Sequence, residues 1–357
     1  MLQSEAAGKR PQIAYVLDPR FPGGTSSAVA AELEVVRDFA DIRVFALSTA
    51  MFEDQGVAPQ LDEALNRLKL PIVWDATEIA ADIVVLHNPS CLKHQDDLGV
   101  RLIARHLIVV THENFLRPGG AEGFDVAKCL TQIQRDSLVL ERHLAPVSAW
   151  NRSTVTGWIA SHQLSQTWTV LPIDWFNICE FDLVPPTVCP ADRRGRHSRS
   201  GFEKFPSSKV MELCFSPSAD RNVILGADAF LLDDDRPSHW TLYPFRGLTV
   251  SQYFEMIDFM IYFTAPTWRE SFGRVIAEAT AAGKLVITDP DVARTFDGTV
   301  VAAEPENVDK IVQGYIDEPD RYVSDVRSAQ RQLKKFSPAT FRSNIGEMLT
   351  KLAGGSA

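Results

Sequence analysis

The stretch Phe259 to Thr288, FMIYFTAPTWRESFGRVIAEATAAGKLVIT, constrains the fold of this chain more than any other. It opens with an apolar run, passes through a loop holding Pro266, continues with helical spacing, stops at Gly283 and closes with a second apolar run. Apolar runs without polar alternation read as strands covered on both faces, and helices on both faces imply a parallel sheet. In open parallel sheets ligands sit beyond the carboxyl ends of the strands, which is where this loop falls. The first turn of the helix then offers free backbone N–H groups to an anion, and Gly273 lets that anion approach closely.

Two carboxylates flank this turn, Glu270 and Glu278. Eight helical positions separate them by about 12 Å along an axis. A glycosidase needs its carboxyl pair roughly 5 to 9.5 Å apart, so hydrolysis of a glycosidic bond does not fit. The spacing suits two sugars at either end of a diphosphate, each held through its hydroxyls, with the helix N-terminus between them.

The alternation of short apolar runs with helical stretches extends along the chain, so the fold class is α/β. Strands are expected at residues 12–18, 42–48, 83–87, 107–111, 144–148 and 168–172, and helices at 26–40, 59–70, 124–135 and 149–161. The proline-rich stretch Val184 to Arg194 interrupts the rhythm and reads as a linker. Beyond it, strands are expected at 222–227, 240–245, 259–264, 285–288 and 299–303, with helices at 204–213, 251–257, 271–282 and after Glu306. With 357 residues the chain exceeds what one core usually covers, so two domains are expected.

The run Glu270-Ser-Phe-Gly-Arg-Val-Ile-Ala-Glu278, with its preceding strand and the following Ala281-Ala282-Gly283, resembles the E-x7-E motif of the group 1, family four retaining glycosyltransferases. That resemblance implies the GT-B fold, two Rossmann-like domains with parallel sheets facing a central cleft. It implies an acceptor-side domain over residues 1–185, a nucleotide-sugar-binding domain over 186–335, and a closing helix within 336–357 that returns to the first domain. In the family the first glutamate and the next amides hold the donor sugar, which carries over to Glu270, Ser271, Phe272 and Gly273, while the second glutamate, here Glu278, holds the ribose. Arg274 stands where many relatives have an apolar residue, and either adds a cation near the phosphates or faces solvent.

Gly195-Arg196-His197-Ser198-Arg199 followed by Lys204 resembles the family's Gly-Arg and later Lys that bind the donor diphosphate, where two cations neutralise the departing nucleotide. Arg196 with Lys204 is the first choice and Arg199 the substitute, since Arg199 matches the family spacing without the preceding glycine. Phe21-Pro22-Gly23-Gly24-Thr25 resembles the first-domain glycine loop that approaches the diphosphate; a simple Pro-Gly-Gly turn into a helix explains the same residues. His112 in Val109-Val110-Thr111-His112-Glu113 resembles the histidine beside donor sugar and acceptor, so His112 and Glu270 are the catalytic candidates. Asn88 and Glu113 are assigned to the acceptor side.

The implied reaction moves a sugar from a nucleoside diphosphate sugar to a hydroxyl of a glycan, a lipid-linked or a small-molecule acceptor, with retention and without metal or other cofactor. The rival readings are a GT-B-like nucleotide-sugar epimerase and a catalytically silent GT-B partner subunit. A net charge of −10 argues against nucleic acid as a partner. No apolar stretch reads as a membrane span, and five cysteines without CxxC spacing suggest free thiols and a cytoplasmic chain, with peripheral membrane placement left open. Motifs of other chemistries fail on context: His112-Glu113 lacks the second histidine of HExxH, and neither GxGxxG, GxxxxGK[ST] nor GxSxG occurs. Asp233 and Asp235 form a D-x-D that reads as an acidic loop.

Overall fold

The computed structural model describes residues 10–354 apart from 22, 163, 200–203 and 232–235. Two compact units emerge, one from residues 10–116, 120–178 and 336–354, the other from 117–119 and 179–335.

The first unit is built on a sheet of seven strands: β1 (Gln12–Leu17), β2 (Asp41–Ala46), β3 (Ile72–Val73), β4 (Glu78–His87), β5 (Arg101–Thr111), β6 (Ser137–Pro146) and β7 (Thr169–Val170). Their order is β3-β2-β1-β4-β5-β6-β7 with every pairing parallel. The apolar runs Ile83–Leu86 and Leu107–Val110 are fully buried because helices cover both faces of these central strands. β4, β5 and β6 begin five to seven residues earlier than their apolar runs predict. Their leading halves, such as Arg101–Arg105, mix charged and apolar residues, and main-chain pairing rather than burial extends them.

Helix Gly24–Val36 follows β1 and helix Ala149–Ser161 follows β6, the latter capped by Ser148, whose hydroxyl accepts from the Asn151 N–H. The closing helical segment, residues 338–352, belongs to this unit. Phe341 meets Trp175 and Phe176 edge-on at 5.8 and 5.6 Å, and Arg342 pairs with Asp38 at 2.8 Å.

The second unit carries six strands: β8 (Arg193–His197), β9 (Arg221–Leu225), β10 (Trp240–Tyr243), β11 (Phe259–Tyr262), β12 (Leu285–Thr288) and β13 (Val301–Ala302). Their order is β10-β9-β8-β11-β12-β13, again all parallel. β8 corrects the sequence reading, which ran a linker up to Arg194 and expected no strand before residue 222. Its arginines enter the sheet because carboxylates meet them: Arg193 pairs with Asp258 at 2.8 Å, and Arg194 with Asp192 at 2.6 Å and Asp309 at 2.5 Å. The proline-rich stretch before it is also anchored. Val184 donates its N–H to the Ala281 carbonyl and accepts from Gln330. Gly283 turns there at φ +75°, and a Cβ would lie 2.6 Å from the Val184 carbonyl oxygen.

All five cysteines are free, and only Cys189 is exposed. No described helix is long and apolar enough to cross a membrane.

At Gly195, inside β8, an added Cβ would meet Ile257 Cγ2 and Tyr253 Oη at 2.6 Å, whereas at Gly24 it would meet nothing within 4 Å. Gly195→Ala therefore destabilises the chain by about 1–3 kcal/mol through overpacking, while Gly24→Ala leaves the melting temperature close to that of the parent. Thermal melts of the two variants check the contrast; equal melting temperatures would refute it.

Candidate functional site

In each unit the strand order brings sequence-distant candidates to one edge. β11 lies between β8 and β12, so the segments leaving β8 and β11 are neighbours at the carboxyl edge. Lys204 and Glu270 meet there. Lys204 Nζ donates to Glu270 Oε1 at 2.6 Å, and the Tyr262 hydroxyl donates to the same oxygen. The ammonium also lies 3.6 Å from the centroid of the Trp268 ring. Burial holds the Lys204 pKa below its ordinary value, with Glu270 opposing.

Arg196 stands behind this pair, fully buried between the rings of Phe205 and Tyr262 at 4.7 and 4.4 Å. One of its Nη groups donates to the Lys204 carbonyl, and its Nε and Nη1 find no hydrogen-bond partner among the described residues. Arg199 is exposed, and its charge is among those that lower the Lys204 pKa. Of the two arginines left open by the spacing, Arg199 is the one that solvent reaches.

The helix expected from residue 271 starts at Arg274 and ends at Ala281. Glu270, Ser271 and Phe272 precede it in irregular backbone, because Gly273 takes the N-cap position at φ +88°, where other residues are strained. Gly273, having no side chain, gives this helix start no side-chain cap of its own. Phe272 is buried against Phe296 at 5.6 Å and anchors the turn. Arg274 lies within the helix. Its Nε meets Glu278 Oε1 at 3.1 Å, one turn on, and its guanidinium covers the Phe181 ring at 4.9 Å. Burial raises the Glu278 pKa and Arg274 opposes that rise. Asp289, after β12, caps the next helix and pairs with Arg269 at 3.2 Å.

In the first unit β1, β4 and β5 are adjacent, so Gly23 and Gly24, Asn88, and His112 with Glu113 all follow neighbouring strand ends. Helix Gly24–Val36 has no side-chain cap either. The N–H groups of Asn88 and His112 both donate to the Val110 carbonyl, at 3.0 and 3.2 Å. Asn88 sits at φ +58°. The Glu113 carbonyl accepts from Asn151, which fixes this strand end against helix Ala149–Ser161.

His112 continues inward as a chain of titratable groups. Its Nε2 lies 3.0 Å from His87 Nδ1, and His87 Nε2 lies 3.5 Å from the wholly buried Glu32. Burial lowers the His112 pKa to about 3, so its ring is neutral at pH 7 and serves as a hydrogen-bonding group rather than a cation. The hydrogen bond ties the tautomers of the two rings together. Glu32, pushed up to about 8 by burial, keeps its proton at neutral pH.

Sequence reasoning did not single out Glu32, His87, Tyr262 or Trp268. Glu32 and His87 sit in stretches that read as ordinary helix and strand, and Tyr262 reads as part of an apolar run. Asp233 and Asp235, and Pro22 of the glycine loop, lie outside the described residues.

No protein-family model matches the chain, and no curated protein matches it in sequence. Its structure is similar to that of Anabaena Alr3699/HepE in complex with UDP and glucose, with TM-score 0.64, 15% identity, 96% of this chain covered and 100% of that one. It is also similar to the apo lipopolysaccharide outer core galactosyltransferase WaaB, with TM-score 0.58, 13% identity and coverage of 95% and 99%. A glycosyltransferase from Rickettsia africae ESF-5 gives TM-score 0.51 at 12% identity, covering 98% and 100%. The fold is that of the GT-B glycosyltransferases.

The Glu32 pKa gives a testable pH dependence. In the fold it is raised from an ordinary 4.5 to about 8, so across that window the unfolded chain releases a proton that the folded chain retains. Stability contributed at low pH is therefore lost as pH rises from the ordinary value toward the folded one. Glu32→Gln removes this loss, and its melting temperature relative to the parent should climb from pH 5 to pH 8. A constant difference over that range would contradict the assignment.

Proposed function

We propose that this chain transfers a sugar from a nucleoside diphosphate sugar to an acceptor hydroxyl, with retention of anomeric configuration. The observation that carries the reading is the Lys204–Glu270 pair, formed across the carboxyl ends of neighbouring strands beside a helix start whose N-cap is Gly273. A cation, a carboxylate and a helix N-terminus in one place suit a donor in which a sugar, an anionic diphosphate and a ribose follow one another. Two solved structures similar to this one hold UDP, one of them with glucose as well, and a third similar structure is that of a galactosyltransferase.

In this reading Arg199 and Lys204 meet the diphosphate, and Arg196, from behind Tyr262, adds positive potential that strengthens as charge develops on the leaving group. The amides of Ser271, Phe272 and Gly273 face the same anion. Glu270 accepts from sugar hydroxyls and Glu278, held by Arg274, accepts from the ribose. Gly23 and Gly24 are assigned to the diphosphate, and His112, Asn88 and Glu113 to the sugar and the acceptor. The acceptor is a glycan, a lipid-linked or a small-molecule hydroxyl, and neither metal nor organic cofactor takes part because side-chain cations and the helix dipole supply the positive charge.

Two measurements test this. Glu278→Ala should weaken both the nucleoside diphosphate and its sugar by about 1.5–3 kcal/mol, the size of a charge-assisted hydrogen bond. Glu270→Gln should leave nucleoside diphosphate affinity nearly intact and lower turnover, marking contacts stronger in the transition state than in nucleotide binding. Calorimetry with the diphosphate and initial rates on the full donor separate the two. Equal losses of affinity in both variants, or none in either, would return the segment to an ordinary helix with two solvated carboxylates.

Turnover should also survive a chelator. Loss of activity that manganese or magnesium restores would shift attention to Asp233 and Asp235. Release of nucleoside diphosphate only with acceptor present separates transfer from epimerisation, and donor binding without turnover across a broad acceptor panel would indicate a silent partner subunit.

A further inference from the structure

β5 and β6 hold three potential metal ligands that the donor site does not use. His106 pairs in register with Glu141, and Ile108 with His143, so side-chain alternation puts His106, Glu141 and His143 on one face of the sheet. Three of their atoms converge. His106 Nδ1 lies 3.3 Å from His143 Nε2, and Glu141 Oε2 lies 3.4 Å from each of them. Among the described residues this is the group of histidine, cysteine and acidic side chains whose ligand atoms gather closely enough to hold an ion.

The shape of the triangle carries the argument. A tetrahedral ion with bonds of about 2.0–2.1 Å to nitrogen and oxygen separates its ligand atoms by about 3.3–3.4 Å. A hydrogen bond between two imidazoles prefers about 2.7–3.2 Å and points its proton at one acceptor, leaving the third atom unserved. The three contacts are nearly equal instead, as around a common centre. The surroundings fit as well: both imidazoles are buried, while the Glu141 side chain is 60% exposed and opens the cluster to solvent. His143 is committed on one side only, since its Nδ1 is buried with no hydrogen-bond partner among the described residues.

We propose that His106, Glu141 and His143 bind one divalent ion of the zinc class, with a fourth position left to solvent. Two imidazoles and one carboxylate favour zinc, cobalt or nickel over magnesium or calcium, which prefer all-oxygen sets. The ion would clamp β5 to β6 near their polar leading halves, where apolar burial contributes least. Because it binds only the folded chain, its effect is on stability. None of the three residues belongs to the donor-binding set, so chelation that strips this ion should lower the melting temperature while transfer continues.

The test uses the full chain without an affinity tag, stripped with chelator and dialysed. Cobalt(II) should bind at one equivalent with the visible absorption of a four-coordinate site, be displaced by zinc, and raise the melting temperature. Glu141→Ala, at an exposed position, should weaken cobalt binding at least tenfold while leaving the circular dichroism spectrum unchanged. His106→Ala should abolish the four-coordinate spectrum. Absence of saturable binding at one equivalent, unchanged affinity in either variant, or a thiolate-to-cobalt charge-transfer band from a cysteine would overturn the proposal and leave a hydrogen-bonded imidazole pair beside a surface carboxylate.

Discussion

The second unit depends on how it tolerates positive charge inside a parallel sheet. An isolated ammonium or guanidinium is costly to bury, so each must meet an opposite charge, a polar atom or an aromatic face. In β8 the three arginines use different solutions: Arg193 and Arg194 take carboxylates, and Arg196 takes two ring faces and the Lys204 carbonyl. Lys204 then takes Glu270 and the Trp268 ring. This arrangement makes a cationic strand a central member of the sheet and brings the charges of Arg196 and Lys204 to its carboxyl edge.

The first unit solves a different problem. Three of its buried titratable groups, Glu32 in helix Gly24–Val36 and His87 and His112 at strand ends, are held neutral by burial: Glu32 is pushed up, while His87 and His112 are pushed down. A neutral chain of this kind offers directional hydrogen bonds and little field.

The motif from Glu270 to Glu278 was legible because its chemistry is local. Strand, loop, glycine and helix follow one another within thirty residues, and the dihedral demand at Gly273 is written in the residue itself. β8 was not legible, because RRGRH has the composition of a surface loop. Its burial rests on Asp258 and Asp309, each more than sixty positions away. The same holds for the imidazole chain. His87 and Glu32 are distant in sequence, and only the adjacency of β1, β4 and β5 brings them beside His112.

The sequence by itself determined the α/β class, the apolar strands such as β4, β5, β11 and β12, and the glycine turn into helix Arg274–Ala281, since periodicity and glycine act over a few residues. It left open which cation accompanies Glu270, how Glu278 is held, and where the proline-rich stretch lies. Tertiary structure decided these through burial and strand order: Arg196 is enclosed and Arg199 is not, Arg274 spends its charge on Glu278, and Val184 is bonded to the end of helix Arg274–Ala281. The physical reason is that the energy of a charge depends on what surrounds it, and those surroundings come from parts of the chain that no local window contains.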